Sequence, residues 1–256
     1  MDAMIELKTE AEIERMRRPA RITAEILAAL REKARPGVTT ADLDREAARL
    51  IAKAGARSAF KNYRVGNAVF PAVLCASVND EIVHGIPSET RALAEGDILG
   101  LDFGVEVDGY FADSAVTVAI GKVDEESALL IAATEQSMVR GIEEAREGAR
   151  LGDIGFAVQE QAEAAGFSVV RDFVGHGIGR ALHEDPQVPN FGKRGRGRTI
   201  AAGMVLAIEP MVNAGVAAVK VDQDGWTART ADGRRSAHFE HTVAVTKRGP
   251  EILTKV

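Results

Sequence analysis

Apolar residues recur at Ile13, Met16, Ala20, Ala24, Leu27 and Leu30, one face of a 3.6-residue period, and predict a long N-terminal helix. Thr9 followed by Glu12 reads as a capping box at its start, because each side chain satisfies a backbone N–H that the first turn leaves unpaired. Pro19 falls inside the pattern and is expected to kink the helix or delay its start, since it has no N–H and its ring crowds the preceding turn. Leu43, Ala47, Leu50 and Ile51 mark a second helix from about Thr40 to Ala54, with Gly55 as its C-terminal cap. The pattern then changes. Residues 98–106 and 110–120 are apolar β-type runs on either side of Asp108–Gly109, a favoured hairpin dipeptide.

These features occur twice, in the same order. RPGVTTADLDREAARLIAKAG (35–55) is echoed 111 positions later by REGARLGDIGFAVQEQAEAAG (146–166), aligning Gly37 with Gly148, Asp42 with Asp153 and Gly55 with Gly166. VHGIP (83–87) matches LHEDP (182–186), GDILGLD (96–102) matches GMVLAIE (203–209), and DSAVTV (113–118) matches EHTVAV (240–245). Each half reads as helix, helix, histidine, then two strands carrying one carboxylate each. Such halves are expected to pack about a pseudo-two-fold axis, with a shared central antiparallel sheet and helices on its outer face. That is an α+β class, a single domain over 1–256 with halves of roughly 10–120 and 121–250.

A hairpin loop at either Asp108–Gly109 or Val107–Asp108 puts Asp102 and Asp113 on one face, directly opposite or on the adjacent diagonal; a bulge or three-residue loop would break that parity. Asp102, Glu209 and Glu240 each sit inside an apolar strand, where a solvated charge does not belong. Two carboxylates ~4 Å apart repel by roughly 4 kcal/mol at an effective dielectric near 20, and four make about six such pairs. That exceeds the ~5–15 kcal/mol stability of a typical domain, so the cluster must take up protons or enclose cations. Four oxygen donors with one imidazole form a hard set suited to Mn²⁺, Fe²⁺ or Co²⁺, with Zn²⁺ possible. The chain has five histidines. His176 and His183 lie in the glycine-rich GHGIGRALHEDP segment, while His238 and His241 read as ordinary core or surface residues.

Composition narrows the setting. With 38 acidic and 32 basic side chains the formal charge is −6, which argues against a dedicated nucleic-acid binder. A single cysteine, Cys75, excludes an intramolecular disulfide framework and a Cys-cluster zinc site. MDAMIELKTEAEIERM is charged from residue 2 and lacks the apolar core of a secretory leader, and no run approaches the ~18 apolar residues of a membrane span. A soluble, cytoplasmic protein without membrane contact is expected.

Through LKTEAEIERMR, PGVTTADLD, SVNDEIVHGIP, LDFGV, YFADSAVTV, GHGIGRALHEDPQVPN, AIEPMVN and FEHTVAVT the sequence resembles the type I methionine aminopeptidases of bacterial form, metallopeptidases of the pita-bread fold. The resemblance implies metal ligands at Asp102, Asp113, His176, Glu209 and Glu240, with Asp113 and Glu240 bridging two divalent ions (Co²⁺, Mn²⁺, Fe²⁺ or Zn²⁺). It implies catalytic and substrate contacts at His84 and His183, Glu209 as general base, and a side-chain pocket of Phe70, Cys75, Leu182 and Trp226. Leu182 and Asn67 stand where many members carry an aromatic, which implies a wider or softer pocket. The implied activity is removal of the initiator methionine before a small second residue, by metal-activated water attack on the first peptide bond. The implied partners are nascent polypeptide N-termini and, transiently, the ribosome, with the chain a monomer. The basic run Lys193–Arg198 reads as a solvated loop and is the best-placed segment for ribosome contact. The alternatives are a proline-directed aminopeptidase or prolidase of the same fold, whose additional N-terminal domain is not expected here, and a non-catalytic module that binds protein or RNA.

Overall fold

Thr9 caps the first helix as its sequence requires: its hydroxyl accepts the Glu12 N–H, and the Glu12 carboxylate accepts the Thr9 N–H at 2.9 Å. In this computed structural model, which describes residues 5–255, helix α1 runs from Glu10–Lys33. The first four residues of the stretch read as lacking a leader lie outside the described residues. Pro19 does not delay the start of the helix, one of its two expected effects; α1 starts nine residues before it and continues through it. The reason is tertiary. Met16, Ala20 and Leu30 are fully buried, and α1 lies along two sheet strands, so burial offsets the ~3 kcal/mol local cost of an interior proline.

Helix α2 spans Thr40–Ala54 as predicted, and Gly55 ends it at φ 66°, a left-handed cap that a Cβ would strain. Helices α3 (Glu125–Glu144) and α4 (Leu151–Ala164) pair in the second half. The entries to α2 and α4 share one hydrogen-bond pattern. Gly37 N–H donates to the Leu93 carbonyl at 2.8 Å and Gly148 N–H to that of Ile200 at 2.9 Å. Asp42 accepts the Thr39 N–H at 3.0 Å, and Asp153 accepts the Arg150 N–H at 2.7 Å. The two helix entries are thus alike in geometry as well as in sequence.

Among the described residues nine strands form the main sheet: β1 (Arg57–Ser58), β2 (Cys75–Val78), β3 (Ile98–Val107), β4 (Tyr110–Ala119), β5 (Gly175–Gly177), β6 (Glu184–Val188), β7 (Val205–Ile208), β8 (Glu240–Thr246) and β9 (Gly249–Ile252). The order is β1-β3-β4-β8-β7-β5-β6, with β2 also on β3 and β9 also on β8, and all pairings antiparallel. Val107 pairs with Tyr110 across the Asp108–Gly109 turn, where both residues have positive φ. The halves join between β4 and β8 through two register pairs, Ala115 with Glu240 and Ser114 with His241. Hydroxyls reinforce this seam: Ser114 Oγ donates to the Glu240 carbonyl at 2.7 Å, and Thr242 Oγ1 donates to that of Asp113 at 2.8 Å. Among the described residues no helix is long and apolar enough to cross a membrane.

Candidate active site

The register draws the acids together. Cys75 pairs with Asp102, Asp102 with Ala115, and Ala115 with Glu240; carried one residue past the end of β7, the β7–β8 register sets Glu209 opposite Glu240. The adjacent row runs from Gly104 through Asp113 and Thr242 to Ala207 and His176. Asp102 and Asp113 therefore share a face on the adjacent diagonal, one of the two arrangements expected. Ala115 separates Asp102 from Glu240 in the first row, and Ala207 separates Thr242 from His176 in the second. A Cβ on Gly104 would lie 3.1 Å from Asp113 Oδ1.

One cavity of about 250 Å³ receives every candidate residue. Asp102, Asp113, His176, Glu209 and Glu240 line it together with Phe70, Cys75, His84, Leu182, His183 and Trp226. Ligand atoms of Asp113, His176 and Glu240 lie within 4.8 Å of one another, and Glu209 Oε1 approaches His176 Nε2 to 3.4 Å. Asp102 belongs to the cavity but not to that mutual set of three.

Without a cation the cluster is electrostatically costly. Burial pushes Asp113 up to about 7. Asp102, Glu209 and Glu240 are driven well above the usual carboxylate range, by burial first and then by their acidic neighbours. Burial, then the neighbouring His183, lowers His176 to about 3, which leaves a neutral imidazole of the kind that ligates metals. Asp102 Oδ1 and Glu240 Oε1 are buried with no hydrogen-bond partner among the described residues. Orphaned acceptors of this kind, in an oxygen-rich set with one imidazole, fit a divalent cation.

His84 and His183 line the same cavity. His84 follows the strand Glu81–Val83 at φ 61°, a left-handed conformation costing ~1–2 kcal/mol in a residue with a Cβ. Its ring meets Phe173 at 5.5 Å and Trp226 at 6.2 Å, edge to face. Burial, and after it His183, holds it down to about 4, so it is neutral. His183 sits on a turn whose Arg180 and Ala181 N–H groups donate to Glu184 Oε1, and the other Glu184 oxygen is held at 2.6 Å by the buried Lys8 ammonium.

Sequence reasoning missed three residues here and left His238 as an ordinary residue near the site. Phe60, Tyr63 and Val65 line the cavity, and Tyr63 Oη lies 2.7 Å from His183 Nδ1. His238, read as bland, is buried with its Nε2 unpartnered among the described residues and 3.7 Å from Glu209 Oε2. Its position two residues before Glu240, on the same strand-like run, was the available signal. Asn67 is a correction of the opposite kind. It lies exposed at the tip between the strands Arg64–Val65 and Ala68–Val69 and does not line the cavity, whereas Leu182 does.

Backbone approach explains the glycines beside His176. A Cβ on Gly177 would run into the backbone carbonyl of Asp185 in β6. Gly177→Ala is expected to push β5 off β6 and shift His176. Calorimetry should show a loss of ~1–3 kcal/mol, and Mn²⁺ titration a ~10–100-fold weaker site.

A model of metallopeptidase family M24 matches residues 14–247, which takes in both rows of the sheet. The chain belongs to metallopeptidase family M24. Among M24 relatives it is 53% identical to a methionine aminopeptidase of Clostridium perfringens, over 99% of this chain and 100% of that one. The crystal structure of a Thermotoga maritima methionine aminopeptidase superposes with a TM-score of 0.95 at 44% identity, covering 99% of this chain and 100% of that chain. A Pyrococcus furiosus prolidase shares the M24 fold at a TM-score of 0.77 and 21% identity, with 98% of this chain matching 65% of that one. The architecture is the duplicated pita-bread fold that the repeat and the resemblance led us to expect.

Proposed function

We propose that this M24 chain is a methionine aminopeptidase that removes the initiator methionine from nascent proteins and peptides with a small second residue. The observation that carries this reading is end-to-end identity of 53% with a methionine aminopeptidase, both chains being covered almost completely. The proline-directed alternative is not favoured, since the prolidase likeness at 21% identity concerns the fold alone.

On this reading Asp102, Asp113, His176, Glu209 and Glu240 would hold two divalent ions, from among Co²⁺, Mn²⁺, Fe²⁺ and Zn²⁺, and Asp113 and Glu240 would serve both. Bound there, such ions supply Lewis acidity for the scissile carbonyl and lower the pKa of a water toward neutrality. Glu209, 3.4 Å from His176, takes the proton from the attacking water. His183 donates a hydrogen bond to the peptide carbonyl as charge develops on its oxygen. The neutral His84 hydrogen-bonds near the scissile nitrogen and steadies the departing amine. Phe70, Cys75, Leu182 and Trp226 exclude water around the methionine side chain; the Phe70 and Trp226 rings meet edge to face at 5.3 Å.

The same reading places the protein in the cytoplasm, as a monomer meeting nascent chains at the ribosome. Of the basic run, Arg194 pairs with Glu144 and Glu160 and stacks over Phe156.

Metal-depleted protein refilled in turn with Mn²⁺, Co²⁺, Fe²⁺ or Zn²⁺ tests the proposal against Met-Ala, Leu-Ala and Ala-Pro peptides. Metal-dependent cleavage of Met-Ala well above the other two is expected. Preference for Ala-Pro, or no cleavage with any ion, would overturn it. In the same assay His84→Ala should lower kcat by ~10²-fold with metal content unchanged, the usual range for a general acid–base group.

A further inference from the structure

We propose that Tyr63 is a positioning residue for the reaction: its hydroxyl holds His183 in the tautomer with its proton on Nε2, so that the ring presents a donor to the peptide carbonyl. The inference deepens the proposed function and rests on the role given there to His183.

Tyr63 Oη and His183 Nδ1 are 2.7 Å apart, with ring centroids at 5.2 Å, and His183 Nδ1 is the sole hydrogen-bond partner of that hydroxyl among the described residues. A neutral imidazole has one N–H and one bare nitrogen. A phenol O–H is a good donor and its oxygen a poor acceptor, whereas a bare imidazole nitrogen is the stronger acceptor of the two. The hydrogen bond therefore runs from Tyr63 Oη–H to His183 Nδ1, and the ring proton remains on Nε2. The opposite tautomer would leave Nε2 as an acceptor facing an oxygen that is gaining negative charge.

Both ends of the contact are held. The Tyr63 N–H donates to the Phe60 carbonyl at 2.9 Å, and the Tyr63 carbonyl accepts the Phe70 N–H at 2.9 Å, which closes the short hairpin that carries it. On the other side Glu184 ties down the turn before His183, and Lys8 ties down Glu184. A hydroxyl placed this firmly selects a tautomer as well as filling space.

Tyr63→Phe keeps the aromatic wall and removes only the hydroxyl. In metal-loaded protein kcat for Met-Ala should fall ~5–10-fold, the scale of one hydrogen bond, with KM within about 2-fold. In a His183→Ala background the same change should cause no further loss, because the two residues act as one unit. Long-range ¹H–¹⁵N spectra of the full chain, metal-free and Zn²⁺-loaded, read the ring directly, with the signal assigned by its absence in His183→Gln. A single Nε2–H form in the unaltered protein, giving way to mixed tautomers in Tyr63→Phe, is expected. An Nδ1–H form in the unaltered protein, or an unchanged kcat in Tyr63→Phe, would overturn the assignment. Absence of all peptidase activity in the unaltered protein would instead overturn the proposed function, while the ring spectrum still decides the tautomer.

Discussion

Glu240→Gln is expected to abolish peptide hydrolysis, by ~10³-fold or more, while raising the melting temperature of the metal-free protein. The two effects share one cause. Glu240 is buried, and Asp113, Glu209 and Asp102 all oppose its ionisation. A glutamine of the same shape removes one member of that mutually repelling set, so the empty fold gains. It cannot act as a bridging anion, so the Lewis-acid contribution of several kcal/mol is lost, and each ~1.4 kcal/mol is tenfold in rate. Calorimetry, metal analysis and kcat/KM on one preparation check all three parts. A variant that melts lower and retains its metal would contradict the account.

Metal-free protein should lose stability as pH rises from about 6.5 to 8, and Mn²⁺ should remove that slope. Burial raises Asp113 from 3.8 to about 7, and Asp102, Glu209 and Glu240 move further in the same direction. A raised carboxyl binds its proton more tightly when folded. Its stabilising contribution is complete below the unfolded value and disappears as pH climbs through the folded one. For Asp113 that interval is 3.8 to about 7, worth on the order of 4 kcal/mol. The buried histidines have the opposite sign. His176 and His238 are held near 3 and His84 near 4, against an ordinary 6.5, so they destabilise the fold as pH falls below 6.5. The two trends oppose each other below pH 6.5, and above pH 6.5 only the carboxyl decline remains. There each still-protonated carboxyl contributes a decline of up to ~1.4 kcal/mol per pH unit. Bound cations keep the carboxylates ionised in the folded state and so cancel the trend. Urea denaturation at pH 6, 7 and 8, with chelator or with Mn²⁺, measures both curves; a flat chelator curve would rule the mechanism out.

Local chemistry made much of this legible in the chain. Thr9 with Glu12 marked the first helix start, Gly55 the second helix end, and Asp108–Gly109 the turn whose register places Asp102 and Asp113 on one face. Glu209 and Glu240 were found because the repeat set them on matched strands, and neither would stand out alone. The misreadings have a common origin in long-range contacts. Pro19 was judged by its local cost, but packing of α1 on β3 and β4 decides the outcome. Tyr63 meets a residue 120 positions away, and the two-residue strands beside it are too short to carry a period. Asn67 was placed at the pocket by the resemblance, although in the fold it lies exposed beside a turn at Gly66. His238 was passed over because a buried histidine signals function only once Glu209 is seen beside it.

Asp102 and Asp113 come from one half, and His176, Glu209 and Glu240 come from the other, across a main-sheet seam of two register pairs. Any cation held by both groups is therefore a rivet as well as a reagent. On the proposed reading, the ligand set is complete only where the two halves meet.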